Sequence, residues 1–523
     1  MTRTHRLEAV GGAVAGVALA IAQPGFGAWP LAWVGLAPLL LAARGAAPRR
    51  AFRLGWLAGI VYYGIVLYWI APTIATYTRI PMPLAIVLEL MLAAVTGVLI
   101  GAFSALVEWL AASGISRVIT APAVWIVLEW ARTFFPAAFP WGFVGYSQFA
   151  VLPIVQAADV AGIYGISALI VFVNAALVEV VRDGMRRHRT LVITTAAVIV
   201  TVLVYGFVRI GQVRSLDGPT LRIGLIQANI SQEQKWRPGL DDRILARHMA
   251  LTASAVSRGA KLIVWPEAAV PFFFNLDERT TQIRDFARRG GVGLLVGAPG
   301  YEKRDGDTPR QYNQAWMIGP EGDVNGPYDK IRLVPFGEYV PWGGLFGLVQ
   351  KAVEGVGDFG AGTSYVVFEG PPADGSSHPT RASALICYEA IFPDLTRRFA
   401  RAGAELLVNI SNDAWYGRTA APYQLLAMIA VRAVENRVPL VRATNTGVSA
   451  VVAPDGSVHG ETPLFEEATI VEDVQLVRAF SLYTLLGDWL VYASILLVAG
   501  LGIVRLRSGS LLIPAPRRGI LSR

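Results

Sequence analysis

Eight apolar runs, seven before residue 210 and one after residue 480, restrict this chain more than any other feature. They are Val10–Phe26, Trp29–Ala43, Leu54–Ile74, Pro83–Ala111, Ala121–Phe135, Ala161–Val181, Leu191–Phe207 and Leu482–Val504. A hydrocarbon layer about 30 Å thick takes about 20 mostly apolar helical residues to cross. Backbone polar groups find no water there, and a helix pairs its own. The runs therefore predict a polytopic α-helical membrane domain of about eight spans. Trp29–Ala43 and Ala121–Phe135 are short and draw on their flanks. The first run passes through "QPGFGAWPLAWVGLAPLLLA" with no small-residue cleavage site, so it is read as a retained span.

Charge then sets the orientation. Only 16% of residues are charged and mean hydropathy is +0.47, outside the range of soluble domains. A net charge of +8 would suit nucleic acid, but the arginines lie in alternate loops. Arg3 and Arg6, then Arg44, Arg49, Arg50 and Arg53, then Arg117, then Arg182, Arg186, Arg187 and Arg189, and finally Arg505, Arg507, Arg517, Arg518 and Arg523 fall on one side of an eight-span chain. The opposite short loops offer chiefly Arg79 and Arg132. The positive-inside rule puts both termini in the cytoplasm and exports the long region between the last two spans. No nucleic-acid partner is expected. One cysteine allows no internal disulfide, and five histidines lack metal-ligand spacing, so no metal or other cofactor is expected.

The expected layout is 1–210 for seven spans, 221–479 for an exported domain, 482–504 for the eighth span and 505–523 for a basic tail. Within 221–479, "LRIGLIQANI", "AKLIVWPE" ending at Glu267, "VGLLVGAP", "NQAWMIGP", "TSYVVFEG", "SALICYE", "AELLVNISN" and "LVRATNTGVSAVVAPDG" read as strands. Helical patterns occupy Asp241–Arg258, Ile283–Gly290, Pro393–Ala402 and Gln424–Asn436. This is an α/β layered domain, and in such domains ligands gather where strands end.

Three residues near such ends combine into legible chemistry. Glu267 closes "LIVWPE", Cys387 closes "SALIC", and Lys330 lies in the loop "YDKIRLVPFGEYVP". A thiol can attack a carbonyl, a carboxylate can take its proton, and an ammonium can face the resulting oxyanion. Taken singly, each has a plainer reading: core thiol, loop carboxylate, solvated lysine. Glu338 and Glu389 also suit structural networks, and Trp415 suits the core. Two apolar stretches, Val270–Phe274 and Val340–Val349, suit lids at a lipid entrance or internal packing. Glu129 and Arg132 lie three residues apart on one helical face, as a structural pair beneath the exported domain or as a headgroup contact.

Together, "VWPEAAVP", "YDKIRLVPFGEYVP", "ICYEAIFPD", "NISNDAWYG" and "VRAVENRVPLVRATNTG" resemble the nitrilase superfamily. With the spans, "LEWARTFFPAAFPWGFVGYSQ" and "GIYG", the chain closely resembles the bacterial apolipoprotein N-acyltransferases. The resemblance implies an α-β-β-α sandwich for the exported domain, with Glu267 as base, Lys330 as oxyanion partner and Cys387 as nucleophile. Glu338 and Glu389 would orient the site, and Trp415 would lie near the acyl group. Tyr416 stands where phenylalanine is common, and Leu425 where many members have histidine. The implied reaction moves an acyl chain from a phospholipid such as phosphatidylethanolamine, through a cysteine thioester, to the amino terminus of a diacylated apolipoprotein. The implied setting is a monomer in the bacterial inner membrane, among membrane lipids, with its catalytic domain in the periplasm. The rival readings are a membrane-tethered nitrilase-type amidase or hydrolase, and a transporter or scaffold that merely binds lipid.

Overall fold

The computed structural model describes residues 3–134, 138–302, 310–335, 337–339 and 359–510. Four helices are long and apolar enough to cross a membrane: Met82–Ala111, Ala158–Asp183, Arg189–Arg214 and Trp489–Arg507. Pro48–Val66 and Ile70–Tyr77 make a fifth such element, bent by 53° at its break. The remaining apolar runs are helical but shorter. Trp29–Ala43 is divided into Trp29–Leu31, Ala32–Gly35 and Ala37–Ala43, and Arg117–Ala131 has 15 residues. Length and composition therefore support four or five spans. Pro48–Val66 packs on Met82–Ala111 backbone to backbone, since a Cβ on Gly59 would lie 2.6 Å from the Gly97 Cα. Small residues permit this contact where lipid supplies no hydrophobic drive between helices.

Acidic groups in this region are matched mainly by arginine or by amides. Arg117 donates to both Glu108 oxygens, each at 2.7 Å, and Arg44 pairs with Glu179 at 2.6 Å. Glu129 and Arg132 do not pair with each other. Glu129 accepts from the Trp125 indole and the Val144 amide, both at 2.8 Å. Arg132 donates to the Tyr63 hydroxyl at 2.6 Å and to the carbonyls of Phe139 and Trp141. Both residues thus fasten the segment 138–144.

The α/β domain has twelve strands among the described residues: β1 Thr220–Gln227, β2 Leu262–Val264, β3 Gly293–Glu302, β4 Arg310–Ile318, β5 Val324–Asp329, β6 Phe368–Pro372, β7 Pro379–Ile386, β8 Leu406–Ser411, β9 Leu440–Thr444, β10 Ala450–Val452, β11 Val458–His459 and β12 Ala468–Gln475. They form two six-stranded sheets, ordered β12-β1-β2-β3-β4-β5 and β11-β10-β9-β8-β7-β6. β1, β2 and β3 run parallel, as do β7, β8 and β9, with antiparallel strands outside them. Strand alternation separates two cores. Leu262, Val264 and Leu295 share a cluster with Ile386 and Val408 of the other sheet, whereas Ile263, Leu294 and Val296 join a cluster with Leu245 and Ile283 of the helices Asp241–Ser257 and Arg279–Gly290.

Several sequence expectations shift here. "LVRATNTGVSAVVAPDG" folds as β9 and β10 rather than as one strand, and strand begins at Phe368 rather than within "TSYVV". Val270–Phe274 is not a lid: Val270, Phe272 and Phe274 are buried and join the outer cluster, with Phe274 stacked on Trp316. Val340–Val349 lies outside the described residues.

The helix Ala421–Asn436 is buried along almost its whole length, including its polar residues Gln424, Arg432, Glu435 and Asn436. It packs in one cluster with the second sheet and also meets the membrane helix Ala158–Asp183. Glu435 accepts from the Ile163 amide at 2.8 Å, while Arg437 bonds Asp159 at 2.8 Å and Gln156 at 2.7 Å. The sheet is thereby fixed to the membrane helices by polar contacts as well as apolar ones.

Candidate active site

The strand ends converge on one buried cluster. Glu267 stands three residues beyond β2, Lys330 follows β5, Cys387 follows β7 and Asn412 follows β8. Glu267 Oε1 accepts from Lys330 Nζ at 3.1 Å and from Asn313 Nδ2 at 2.8 Å, and its Oε2 accepts from the Asn412 amide at 3.0 Å. Glu338 Oε1 accepts from Lys330 at 2.9 Å and Asn313 at 2.9 Å, and its other oxygen accepts from the Val334 amide at 2.8 Å. An ammonium has three donors, so two carboxylates leave Lys330 one N–H for another oxygen.

Cys387 sits on a sharp strand-to-helix turn with φ of 53°, an unfavourable conformation for a side-chain-bearing residue. Glu389 holds this turn in place. Its Oε2 accepts from the Ile386 amide at 2.7 Å. Its Oε1 accepts from the Tyr328 hydroxyl at 2.7 Å, the Ile331 amide at 2.7 Å and the Arg332 amide at 3.1 Å. One buried carboxylate therefore ties the cysteine turn to the lysine loop.

Electrostatics assign a resting protonation state. Burial pushes the Cys387 thiol up to about 12, helped by the Glu267 charge and only partly opposed by Lys330. Burial also acts to raise Glu267, but Lys330 and the Asn313 hydrogen bond outweigh it and hold the carboxyl below its usual range. For Lys330, burial acts to lower the value, and the charges of Glu267 and Glu338 carry it well above the usual one. The thiol thus keeps its proton at rest, near the ionised carboxylate of Glu267. At pH 7 a thiol at about 12 is ionised in about one molecule in 10⁵. A thiol so protonated attacks a carbonyl only if a neighbouring base takes its proton as the new bond forms, and Glu267 is the ionised carboxylate in this cluster.

Aromatic rings wall the cluster on the membrane side. Tyr416 closes the short turn that follows Asn412, whose amide donates to Glu267, and meets Trp69 edge to face with ring centres 4.9 Å apart. Trp141 lies 4.9 Å from Trp69, and Phe139 stacks on both Trp141 and Tyr388. Trp415 occupies the same short turn as Tyr416 but packs on Tyr77 of the bent membrane element, 4.7 Å away. That element grips the turn: Thr73 Oγ1 donates to the Trp415 carbonyl and Tyr77 to the Ala414 carbonyl, each at 2.8 Å, and the Ala420 amide donates to Tyr68 at 3.1 Å.

All six residues singled out from the sequence are therefore located: Glu267, Lys330, Glu338, Cys387 and Glu389 in one network, and Trp415 at its membrane edge. Sequence reasoning missed Asn313, Asn412 and Lys235. Lys235 is 1% exposed, with Nζ 3.5 Å from the Glu267 carbonyl, and burial pushes it down to about 8 against the pull of Glu267. Asn313 sits in a strand that also carries Arg310, Gln311 and Gln314, so its residue type alone did not single it out; the Asn412 contact is made by a backbone amide and has no residue signature.

Residues 222–482 match the carbon-nitrogen hydrolase family, and residues 15–176 match the apolipoprotein N-acyltransferase N-terminal domain. The chain is 40% identical over 499 residues to the apolipoprotein N-acyltransferase of Geobacter metallireducens, covering 94% of this chain and 93% of that one. It is 35% identical over 524 residues to the enzyme of the same name from Gloeobacter violaceus, covering 98% and 95% respectively. Among solved structures, an amidase from Nesterenkonia sp. aligns at 24% identity with a TM-score of 0.37, over 50% of this chain and 92% of that one. Similarity at this level over nearly the full length shows that the chain belongs to the apolipoprotein N-acyltransferase family.

Proposed function

We propose that this chain moves a fatty acyl group from a phospholipid to the α-amine of a diacylated apolipoprotein by way of a Cys387 thioester. The observation that carries the reading is the neutral Cys387 thiol near an ionised Glu267–Lys330 pair, next to a turn held by a membrane element. In the first half-reaction the sulfur bonds the ester carbonyl carbon while its proton passes to Glu267. The free N–H of Lys330 faces the oxyanion. The C–O bond then breaks, Glu267 returns the proton to the departing alkoxide, and a lysophospholipid leaves. In the second half-reaction the neutral amine attacks the thioester, Glu267 takes its proton, and the C–S bond breaks. The sulfur regains the proton as the amide forms. Glu338 and Glu389 hold Lys330 and the nucleophile turn respectively, and Trp415 borders the acyl chain.

The wider layout follows the sequence. The helices form an eight-span frame, with the short Trp29–Ala43 and Arg117–Ala131 regions and Arg3–Ile21 completing the count. The sheets and their flanking helices form an α-β-β-α sandwich over 221–479, exported to the periplasm of a bacterial inner-membrane protein with cytoplasmic termini. A monomer suffices, because every group in the cluster comes from one chain. Drawing lipid chains into water costs about 0.8 kcal/mol per CH₂, so the site belongs at the membrane surface.

Intact-protein mass spectrometry after incubation with phosphatidylethanolamine tests the reading. A fatty-acyl increment on Cys387 that hydroxylamine removes, and that a diacylated lipopeptide discharges, is expected. Released fatty acid and lysophospholipid with no adduct and no lipopeptide acylation would instead favour the hydrolase.

A further inference from the structure

The aromatic wall contains a polar group that the reaction above does not use. Trp69 is 6% exposed, yet its indole N–H has no acceptor among the described residues. The indoles of Trp125, Trp141 and Trp265, also buried, each donate to a side-chain oxygen at 2.6–2.8 Å. Buried donors in native proteins are nearly always paired, so a solitary one needs a reason. Trp316 shares the feature, but lies in the outer cluster beside Phe274. Trp69 instead lies against the catalytic cluster: its ring partner Tyr416 closes the turn that follows Asn412, whose amide donates to Glu267. It also stands at the break of the bent membrane element.

We infer that the Trp69 N–H donates a hydrogen bond to the non-reacting ester carbonyl of the diacyl lipid held at Cys387. The inference rests on the proposed function for the identity of the lipid. A neutral donor among Trp141 and Tyr416 matches a neutral carbonyl oxygen; a phosphate would surrender its hydration for uncharged contacts. The reacting ester faces Lys330, which leaves the second ester as the acceptor within reach. Trp69 is thus a specificity-determining residue, selecting lipids that carry two esters.

The test compares dihexanoyl phosphatidylethanolamine with its analogue bearing an ether at the sn-2 position, binding each to full-length protein in nanodiscs by calorimetry. The Cys387→Ala protein blocks turnover. It is expected to bind the diester about tenfold more tightly than the ether, as for one buried hydrogen bond, and Cys387→Ala/Trp69→Phe is expected to bind both equally. Phenylalanine keeps a ring in the wall, so a purely structural role would weaken both lipids together and preserve the ratio. An unchanged ratio in the double variant, or no discrimination in the parent, overturns the inference. Absence of binding by either lipid overturns it together with the proposed function. If the ratio behaves as expected while the wild type forms no thioester, only the proposed function falls.

Discussion

Replacing Glu389 with glutamine tests whether one carboxylate aligns the nucleophile. Oε1 accepts three donors and Oε2 accepts the Ile386 amide alone. A glutamine that keeps its oxygen on the three-donor side turns its NH₂ toward the Ile386 N–H, setting two donors face to face. A buried donor left unpaired costs about 1–3 kcal/mol, and the cheapest relief is rotation of the turn that carries Cys387. A shift of about 1 Å at a reacting atom costs about 10²-fold in rate. Glu389→Gln should therefore slow thioester formation about 10²-fold or more, read as the single-turnover rate by mass spectrometry. Stability should move in a different sense with pH. Burial raises Glu389 from 4.5 to about 7 against its hydrogen bonds, so ionising it penalises the folded state. The penalty is absent below 4.5, grows as pH rises through that interval and is complete above about 7, where it reaches about 3 kcal/mol. Glutamine carries no such penalty. Relative to wild type, the variant should gain thermal stability between pH 5 and pH 8 while remaining slow at both. A rate within twofold of wild type, or a stability difference independent of pH, would refute the assignment of Glu389 as the clamp of the turn.

Three further outcomes are expected. Lys330→Met leaves two buried carboxylates without their shared cation, a loss of about 3–5 kcal/mol in stability, and should abolish the thioester while phospholipid binding survives; near-normal turnover would remove Lys330 from the chemistry. With Glu267 held below its usual range and Cys387 at about 12, thioester formation should be flat from pH 6 to pH 9. A tenfold rise per pH unit would show attack by thiolate formed through solvent instead. Thr73→Val combined with Tyr77→Phe removes two hydrogen bonds to the Ala414–Trp415 backbone, and should slow acyl transfer about tenfold with little change in melting temperature; full activity would show that the membrane element does not align that turn.

The sequence carried the parts of the site that are written in residue identity. Glu267 and Cys387 each follow an apolar strand end, where a polar residue announces itself; Lys330 follows β5, "VNGPYD", which is largely polar and gives no such signal. Glu338 and Glu389 needed the family's motifs, because a carboxylate binding amides looks like any other until its donors are known. Asn412 works through its backbone N–H, which every residue except proline has. The grip of Thr73 and Tyr77 on residues more than 300 positions away depends on how the membrane helices pack, and local pattern does not encode that. Val270–Phe274 shows a legible signal misread: the buried residues Val270, Phe272 and Phe274 alternate, and a period of two points inward on one face rather than outward as a lid.

The same burial that obscures these contacts in sequence also explains the order of chemical events. A thiol left in water would ionise near 8.5. Here burial keeps it protonated, so under the proposed mechanism it is a poor nucleophile until Glu267 takes the proton during attack. In that mechanism the same low-dielectric surroundings, beside the aromatic rings of Trp69, Trp141 and Tyr416, disfavour attack of hydroxide on the thioester. A soluble amidase needs water to finish its cycle, whereas a transferase must outwait it. This predicts that opening the wall, as in Trp141→Ala, raises the ratio of released fatty acid to acylated lipopeptide. A ratio equal to that of wild type would place water exclusion elsewhere in the protein.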